Sequence, residues 1–175
     1  MALACVVLGW KISQINRKYP KQEIKQVQAG ADAELQDGVT LRVEKANWRT
    51  KDEAKGLYGK DFSDEMTDRD IYRTMEVEIE VSNHSGQEQD VFLHDLYLEK
   101  GAYEQGVAPE IFYSVNDGQD MDFKMPDHTT KKITLGYVLY DFQFQKSQWK
   151  KLESLEFYLA DTKYPVKTEW LLGQS

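Results

Sequence analysis

A chain of 175 residues, 41% hydrophobic and 30% charged, is one domain with room for an appendage. Seven Phe, ten Tyr and four Trp exclude a disordered chain, while eleven Gly and a mean hydropathy of −0.65 exclude a collagen and a multi-span membrane protein. The net charge of −8 makes duplex nucleic acid a poor partner, because an acidic body repels phosphate.

The charge is uneven along the chain. Residues 1–30 carry Lys11, Arg17, Lys18, Lys21 and Lys25 against Glu23, a local net of +4 that leaves −12 on the rest. Ahead of these cations, Met1–Trp10 is apolar throughout. Ten residues rise about 15 Å as a helix, half of a bilayer core. The segment 1–10 is therefore read as a truncated membrane anchor or a signal-like segment. A helix docked on the body is the competing reading, and the absence of a polar face over Ala4–Leu8 argues against it. Trp10-Lys11 has the form of an interfacial aromatic with a basic flank. Leu3-Ala4-Cys5 has the outline of a lipoprotein cleavage box, with Ala2 where that box carries Leu and too short an apolar run before Cys5. Cys5 is the one cysteine, so the body needs no disulfide framework, which suits an oxidising exterior and equally a cytosol.

Residues 11–30, polar, basic and broken by Pro20, are expected to be a basic stalk, and 31–175 a β-sandwich domain. Asp37-Gly38 is a turn signal. Val39, Leu41 and Val43 then alternate with polar residues, and Ala46 and Trp48 continue one residue out of phase, which predicts a strand with a bulge near Lys45. Residues 49–71 break the pattern with Gly56, Gly59 and the acidic run Asp61, Asp64, Glu65, Asp68 and Asp70. They read as a long functional connection, with a short helix capped by Ser63 and no capping box, since Met66 is neither Glu nor Gln. Met75, Val77, Ile79 and Val81 against Glu76, Glu78, Glu80 and Ser82 make a strand with a wet outer face, ended by the turn Asn83–Gly86. Further strands are expected at Asp90–Leu98, Ile111–Val115, Lys132–Tyr140, Leu155–Leu159 and across Tyr164–Leu172. Six to eight short strands without a long helical period predict an all-β, antiparallel sandwich.

Two stretches carry a resemblance: Val81-Ser82-Asn83 followed by His84-Ser85-Gly86, and Phe123-Lys124-Met125-Pro126 followed by a polar turn and Ile133-Thr134-Leu135-Gly136-Tyr137-Val138-Leu139. In this order they resemble the telokin-like, immunoglobulin-related sandwiches of secreted and membrane-anchored proteins from Gram-positive, clostridial-type bacteria, families of unknown function. The resemblance spans about residues 30–172 and rests on generic sandwich punctuation. It implies an immunoglobulin-like fold with an N-terminal apolar or helical segment, and supplies no catalytic residues.

Chemistry is sparse. His84, His94 and His128 share no metal-ligand spacing, and the adjacent residues His94 and Asp95 should face opposite ways on a strand. No nucleophile elbow, phosphate loop or dinucleotide fingerprint occurs. Asp117, Asp120 and Asp122 around Gly118 are the candidate Ca²⁺ ligands, without the Asp-x-Asp-x-Asp-Gly pattern, and Asp61, Asp64, Glu65 and Asp68 are a second acidic group. Trp48, Tyr58, Tyr72, Phe142, Phe144 and Trp149 lie in or beside the two irregular segments, where they form either a binding platform or plugs for the ends of the sandwich. The sequence therefore predicts no enzyme and no cofactor. It predicts an extracytoplasmic, membrane-tethered or secreted interaction domain, recognising a surface protein or cell-wall component through loops 49–71 and 141–151. The alternatives are a hydrolase using paired carboxylates on cell-wall or polysaccharide material and a structural assembly module pairing through an edge strand.

Overall fold

Strict alternation puts one side of each long strand in the dark, and two such faces must bury each other. A computed structural model describes residues 17–66 and 71–173, together with Lys11 and Gln14. The apolar segment 1–10 with Cys5, residues Asp68 and Asp70, and the side chains of Asp61 and Glu65 lie outside the described residues. In chain order the strands are β1 (Glu23–Val27), β2 (Ala33–Gln36), β3 (Val39–Arg49), β4 (Tyr72–Asn83), β5 (Gln89–Phe92), β6 (Tyr97–Lys100), β7 (Tyr103–Gly106), β8 (Asp122–Met125), β9 (Thr129–Tyr140), β10 (Tyr158–Ala160) and β11 (Val166–Leu171). One sheet has the order β1-β11-β10-β6-β7, the other β2-β3-β4-β9, and β5 pairs with β8. The fold is an all-β sandwich. Its pairings are antiparallel except for β1 against β11, which run parallel from Glu23↔Val166 to Val27↔Trp170.

The core between the layers takes Val39, Leu41 and Val43 from β3, Val77, Ile79 and Val81 from β4, Leu135, Tyr137 and Leu139 from β9, and Leu98, Leu159 and Trp170 from the facing sheet. Trp170 donates from Nε1 to the carbonyl of Leu41 at 3.1 Å, across the layers. The expected bulge is present: the β3–β4 register shifts between Val43 and Lys45, which returns Ala46 to the interior. The outer face of β4 is wet only in part, with Glu78 and Glu80 partly exposed and Glu76 buried, and all three glutamates are paired. Arg49 meets Glu76 at 2.8 Å, Lys45 meets Glu78 at 2.8 Å, and Arg42 and Lys132 both reach Glu80.

Five expectations are corrected. Residues 23–27, assigned to the stalk, pair with β11 in the sheet as β1. Asp90–Leu98 is not one strand: a 3₁₀ turn at Leu93–Asp95 breaks it, sending β5 to β8 and β6 to the five-stranded sheet, which is why its apolar residues fall on both faces. Leu155–Leu159 shortens to β10, with a 3₁₀ turn at Leu152–Ser154 before it. Within the irregular segment 49–71, residues 51–65 fold into α1 (Lys51–Leu57) and α2 (Gly59–Glu65). A capping box does exist there, at Thr50 and Glu53 rather than Ser63, with Thr50 N donating to Glu53 Oε2 at 2.7 Å. Ser63 sits inside α2 and donates to the Gly59 carbonyl. Ile111–Val115 belongs to a helix, α3 (Pro109–Val115). Pro109 presets the first helical turn, and the helix sends the adjacent Ile111 and Phe112 into two different clusters.

Ile111 belongs to a second, smaller core that covers the outer face of β4 and β9. Ala54, Tyr58 and Phe62 from α1–α2 pack there with Tyr72, Val138 and Ala108. Gly136 of β9 makes this close approach possible. A Cβ at that position would fall 2.1 Å from Ile111 Cγ2, and the Gly136 carbonyl accepts from Ala108 N at 2.7 Å. Gly136→Ala is expected to destabilise the fold by about 1–3 kcal/mol through overpacking. Denaturant unfolding of Gly136→Ala in an Ile111→Ala background should show that cost reduced but not abolished, because the Cβ of residue 111 stays 2.5 Å from the added methyl; an undiminished cost would place the strain elsewhere.

Candidate functional site

The aromatic residues singled out from the sequence divide into three groups. Tyr58 and Tyr72 are 3% and 2% exposed and belong to the second core, in an edge-to-face series Tyr58–Phe62–Tyr72 with centroids 5.1 and 5.9 Å apart. They are plugs and present no platform, because α1 and α2 need an apolar underside to sit on. Phe142 is 79% exposed and stacks on Tyr140 at 5.3 Å. Trp48, Phe144 and Trp149 do come together, with two residues the sequence reading did not select, Tyr103 and Phe157.

These five rings close one end of the sandwich. Trp48 meets Phe157 edge-on at 5.7 Å, Tyr103 meets Phe144 at 4.6 Å and Phe157 at 6.2 Å, and Phe144 meets Trp149 at 6.0 Å. Local sequence explains the placement. Trp48 is the last inward residue of β3 after the bulge. Phe144 and Trp149 are held by a 3₁₀ turn at Asp141–Gln143 and the single-turn helix α4 (Lys146–Trp149), where Gln145 N donates to Gln148 Oε1. Tyr103 opens β7 after the Gly101 turn. Pairs of this geometry add about 0.5–1.5 kcal/mol each beyond burial.

Two clefts flank the rings. One, of about 270 Å³, has Trp48, Met75, Phe157 and Leu172 as apolar wall and Asn47, Arg49 and Glu153 as polar rim. The other, of about 380 Å³, is lined by Tyr103 and Phe144 with Lys100, Glu104, Gln143 and Gln148. The Tyr103 hydroxyl is buried with no hydrogen-bond partner among the described residues, and burial pushes its pKa up. Behind Arg49 a buried polar network braces the end: Arg49 donates to Glu76 Oε2, and the Tyr58 hydroxyl donates to Glu76 Oε1 at 3.0 Å and lies 3.2 Å from Thr74 Oγ1.

The calcium candidates do not converge. Asn116 Nδ2 donates to the Phe112 and Thr134 carbonyls, and Thr134 N donates to its Oδ1, so this turn ends α3 and clamps it to β9. Asp117 borders a groove of about 460 Å³ with Glu44, Glu78, Lys45 and Lys132. Asp122 instead accepts from His94 Nδ1 at 2.6 Å. Among the described residues no three His, Cys, Asp or Glu side chains are placed to hold a metal ion. The expected opposition of His94 and Asp95 also fails. The 3₁₀ turn at Leu93–Asp95 brings His94 Nε2 to 3.4 Å from Asp95, so both ring nitrogens face carboxylates. Sequence spacing could not reveal Asp122, which arrives from the paired strand β8 through Phe92↔Asp122.

Two outcomes follow from these contacts. The bond to Asp122 raises the His94 pKa above its ordinary value near 6.5, with the Asp95 charge adding to it. The stabilisation His94 contributes is then fully present below pH ~6.5 and lost as pH rises through the elevated folded value. An NMR titration should read this shift directly, and Asp122→Asn should return His94 toward its ordinary value. Tyr58→Phe should cost about 1–3 kcal/mol in denaturant unfolding, because Glu76 keeps its burial but loses a donor.

Among the described residues no helix is long and apolar enough to cross a membrane. No curated protein matches the chain. Among solved structures, a candidate lipoprotein from Bacillus subtilis aligns with 83% of this chain at 10% identity and a TM-score of 0.48; the chain spans 39% of that protein's length. An uncharacterized β-sandwich protein from Clostridium difficile aligns with 87% of this chain and 97% of its own at 11% identity and a TM-score of 0.48. A family profile matches residues 17–168, and the chain belongs to that family, a domain of unknown function, DUF5028.

Proposed function

We propose that this chain is a non-catalytic, extracytoplasmic binding module, tethered through its N-terminal segment, that recognises a cell-wall component or surface protein at its aromatic end. One observation carries the reading. The five-ring cluster with its two clefts lies at the C-terminal end of β11, and the N-terminal segment joins at the start of the same strand, where Glu23 N donates to the Pro165 carbonyl. Six strand residues separate the two ends by roughly 17 Å. A tether at one end turns the other outward. Ring faces accept the apolar faces of sugar rings or peptide side chains, and the polar rims of Asn47, Arg49, Gln143 and Gln148 supply the directional bonds. The unsatisfied Tyr103 hydroxyl beside the larger cleft favours a ligand with a polar group to offer.

An immunoglobulin-like, telokin-like relationship is the finer reading of the fold. It is supported by the order β11-β10-β6-β7, which matches the G-F-C-C′ order of variable-type immunoglobulin sheets. No cofactor enters the mechanism; binding is recognition by a rigid scaffold.

Cosedimentation of the protein with insoluble cell-wall polysaccharide, read alongside tryptophan fluorescence, tests the assignment. Phe144→Ala and Trp149→Ala should each weaken capture about ten-fold or more, the size of a truncated aromatic anchor. Phe142→Ala, on the same segment but away from both clefts, should leave it unchanged. Equal losses for all three would remove the aromatic end from consideration. Release of reducing ends during the incubation would instead favour the carboxylate hydrolase, with Glu44, Glu78 and Asp117 in the 460 Å³ groove as its candidate residues.

A further inference from the structure

The opposite end of the sandwich carries a concentration of unpaired cations and exposed rings that neither the core nor the aromatic end accounts for. Residues 17–26 and 162–166 are exposed without interruption. They are stitched together: Gln22 Nε2 donates to the Lys163 carbonyl at 2.8 Å, the Tyr164 hydroxyl to the Pro20 carbonyl at 2.7 Å, and Ile24 lies in register with Lys167. Arg17, Lys18, Lys21 and Lys25 come from one segment and Lys163 from the other. None of the five forms an ion pair among the described residues, whereas Arg42, Lys45, Arg49 and Lys132 are all paired on the sheet. Acidic groups are present too: Glu169 of β11 accepts from Gln26 Nε2 at 3.4 Å and lies 3.8 Å from Lys167. Glu23 lies within the segment, and Asp161 is buried, its Oδ1 accepting from Thr168 N and Lys163 N. Asp95 sits further along, in a small hollow shared with Phe92 and Lys163.

Among these cations stand large apolar side chains that the fold leaves exposed: Tyr19 is 59% exposed, Ile24 54%, Tyr164 51% and Val166 41%. Lys18 Nζ lies over the Tyr19 ring at 5.4 Å. Tyrosines beside lysines, next to aliphatic side chains, suit the boundary between headgroups and hydrocarbon. The same chain leads from Arg17 back to the apolar, uncharged stretch Met1–Trp10. The remainder of the protein carries −12, so an anionic surface attracts this end and repels the others.

We infer that the β1–β11 end of the folded body is itself a docking face for a bilayer bearing anionic headgroups, with Lys21, Lys25 and Lys163 on the phosphates and Tyr19 and Tyr164 at the interface. This rests on the tethered-module reading and adds that the body, not the apolar segment alone, meets the membrane. The protein would then stand with β11 along the membrane normal and the aromatic clefts facing away.

Flotation of the full chain with phosphatidylcholine vesicles, with and without phosphatidylglycerol, separates the two ideas. Phosphatidylglycerol should raise binding about ten-fold or more, and added salt should reverse the gain. Lys163→Glu, remote in sequence from the apolar segment, should remove about five-fold, and Lys21→Glu with Lys163→Glu most of the gain, while thermal unfolding stays that of the parent. Lys163→Gln, a milder change, should give a smaller loss in the same direction. Equal binding to both vesicle types would overturn the docking face and leave tethering by residues 1–10 standing. No binding to either would overturn both. A phosphatidylglycerol preference untouched by the lysine variants would place the attraction elsewhere and overturn the inference.

Discussion

Trp170 ties the two layers of this protein together. It is fully buried, belongs to β11 of the five-stranded sheet, and donates its indole N–H to the Leu41 carbonyl of β3 in the other sheet. A hydrogen bond across a sandwich core is directional in a way that packing is not, and a buried donor without it carries a desolvation penalty of about 1–3 kcal/mol. Its position also matters. β11 is flanked by β1 on one side and β10 on the other. It begins beside Lys163 and the cationic segment 17–25 and leads through Leu172, whose N–H is bonded to the Phe157 carbonyl, into the aromatic end. A single strand held at its start by β1 and pinned near its C-terminal end by Trp170 therefore fixes both ends relative to the scaffold.

The strands that could be read from the chain are those whose inner face keeps a period of two over its whole length. β4 and β9 each alternate cleanly, and the β3 bulge was visible because Ala46 and Trp48 fall out of phase with Val39, Leu41 and Val43. What alternation does not carry is the register between strands. The glutamate row reads as a bare acidic face in isolation; only the β3–β4–β9 register shows Arg42, Lys45, Arg49 and Lys132 opposite it. Cross-strand ion pairs of this kind are worth little singly, so their effect is to keep a charged outer face from repelling itself. The His94–Asp122 bond was hidden for the same reason: its partners are 28 residues apart and meet only through the β5–β8 pairing.

The helices escaped for a different reason. α1, α2 and α3 are each seven residues long, less than two turns, so a 3.6-residue period has no room to repeat. Their stability comes from caps and from tertiary burial, as expected for helices far too short to persist alone. Tyr58, Phe62 and Ile111 stand beneath them on a sheet face that would otherwise be wet, and Glu76, caught under that cover, keeps its charge satisfied by Arg49 and Tyr58. The aromatics of the candidate site were legible as residue types and illegible as a site. Six were singled out; three assemble, two serve the second core and one stands apart, because exposure and convergence are decided by elements whose existence the chain did not announce.

Charge separation gives the molecule a direction. Arg42, Lys45 and Arg49 of β3 and Lys132 of β9 are neutralised in place by the β4 glutamates, so they contribute little field at a distance. The cations of residues 17–25 and Lys163 have no such partners among the described residues, and the acidic surplus lies elsewhere in the chain. An acidic body with one basic end is an electric dipole. In the field of any charged surface it turns before it touches, and here the basic end is also the one continuous with the apolar segment. On the proposed tethering, orientation by charge and attachment by chain act at the same place. The opposite end is built from rings braced by Glu76 and Arg49 and carries the two clefts. The arrangement needs no moving part: the sandwich transmits the orientation of one end to the other because Trp170 and its neighbours keep β11 fixed between them.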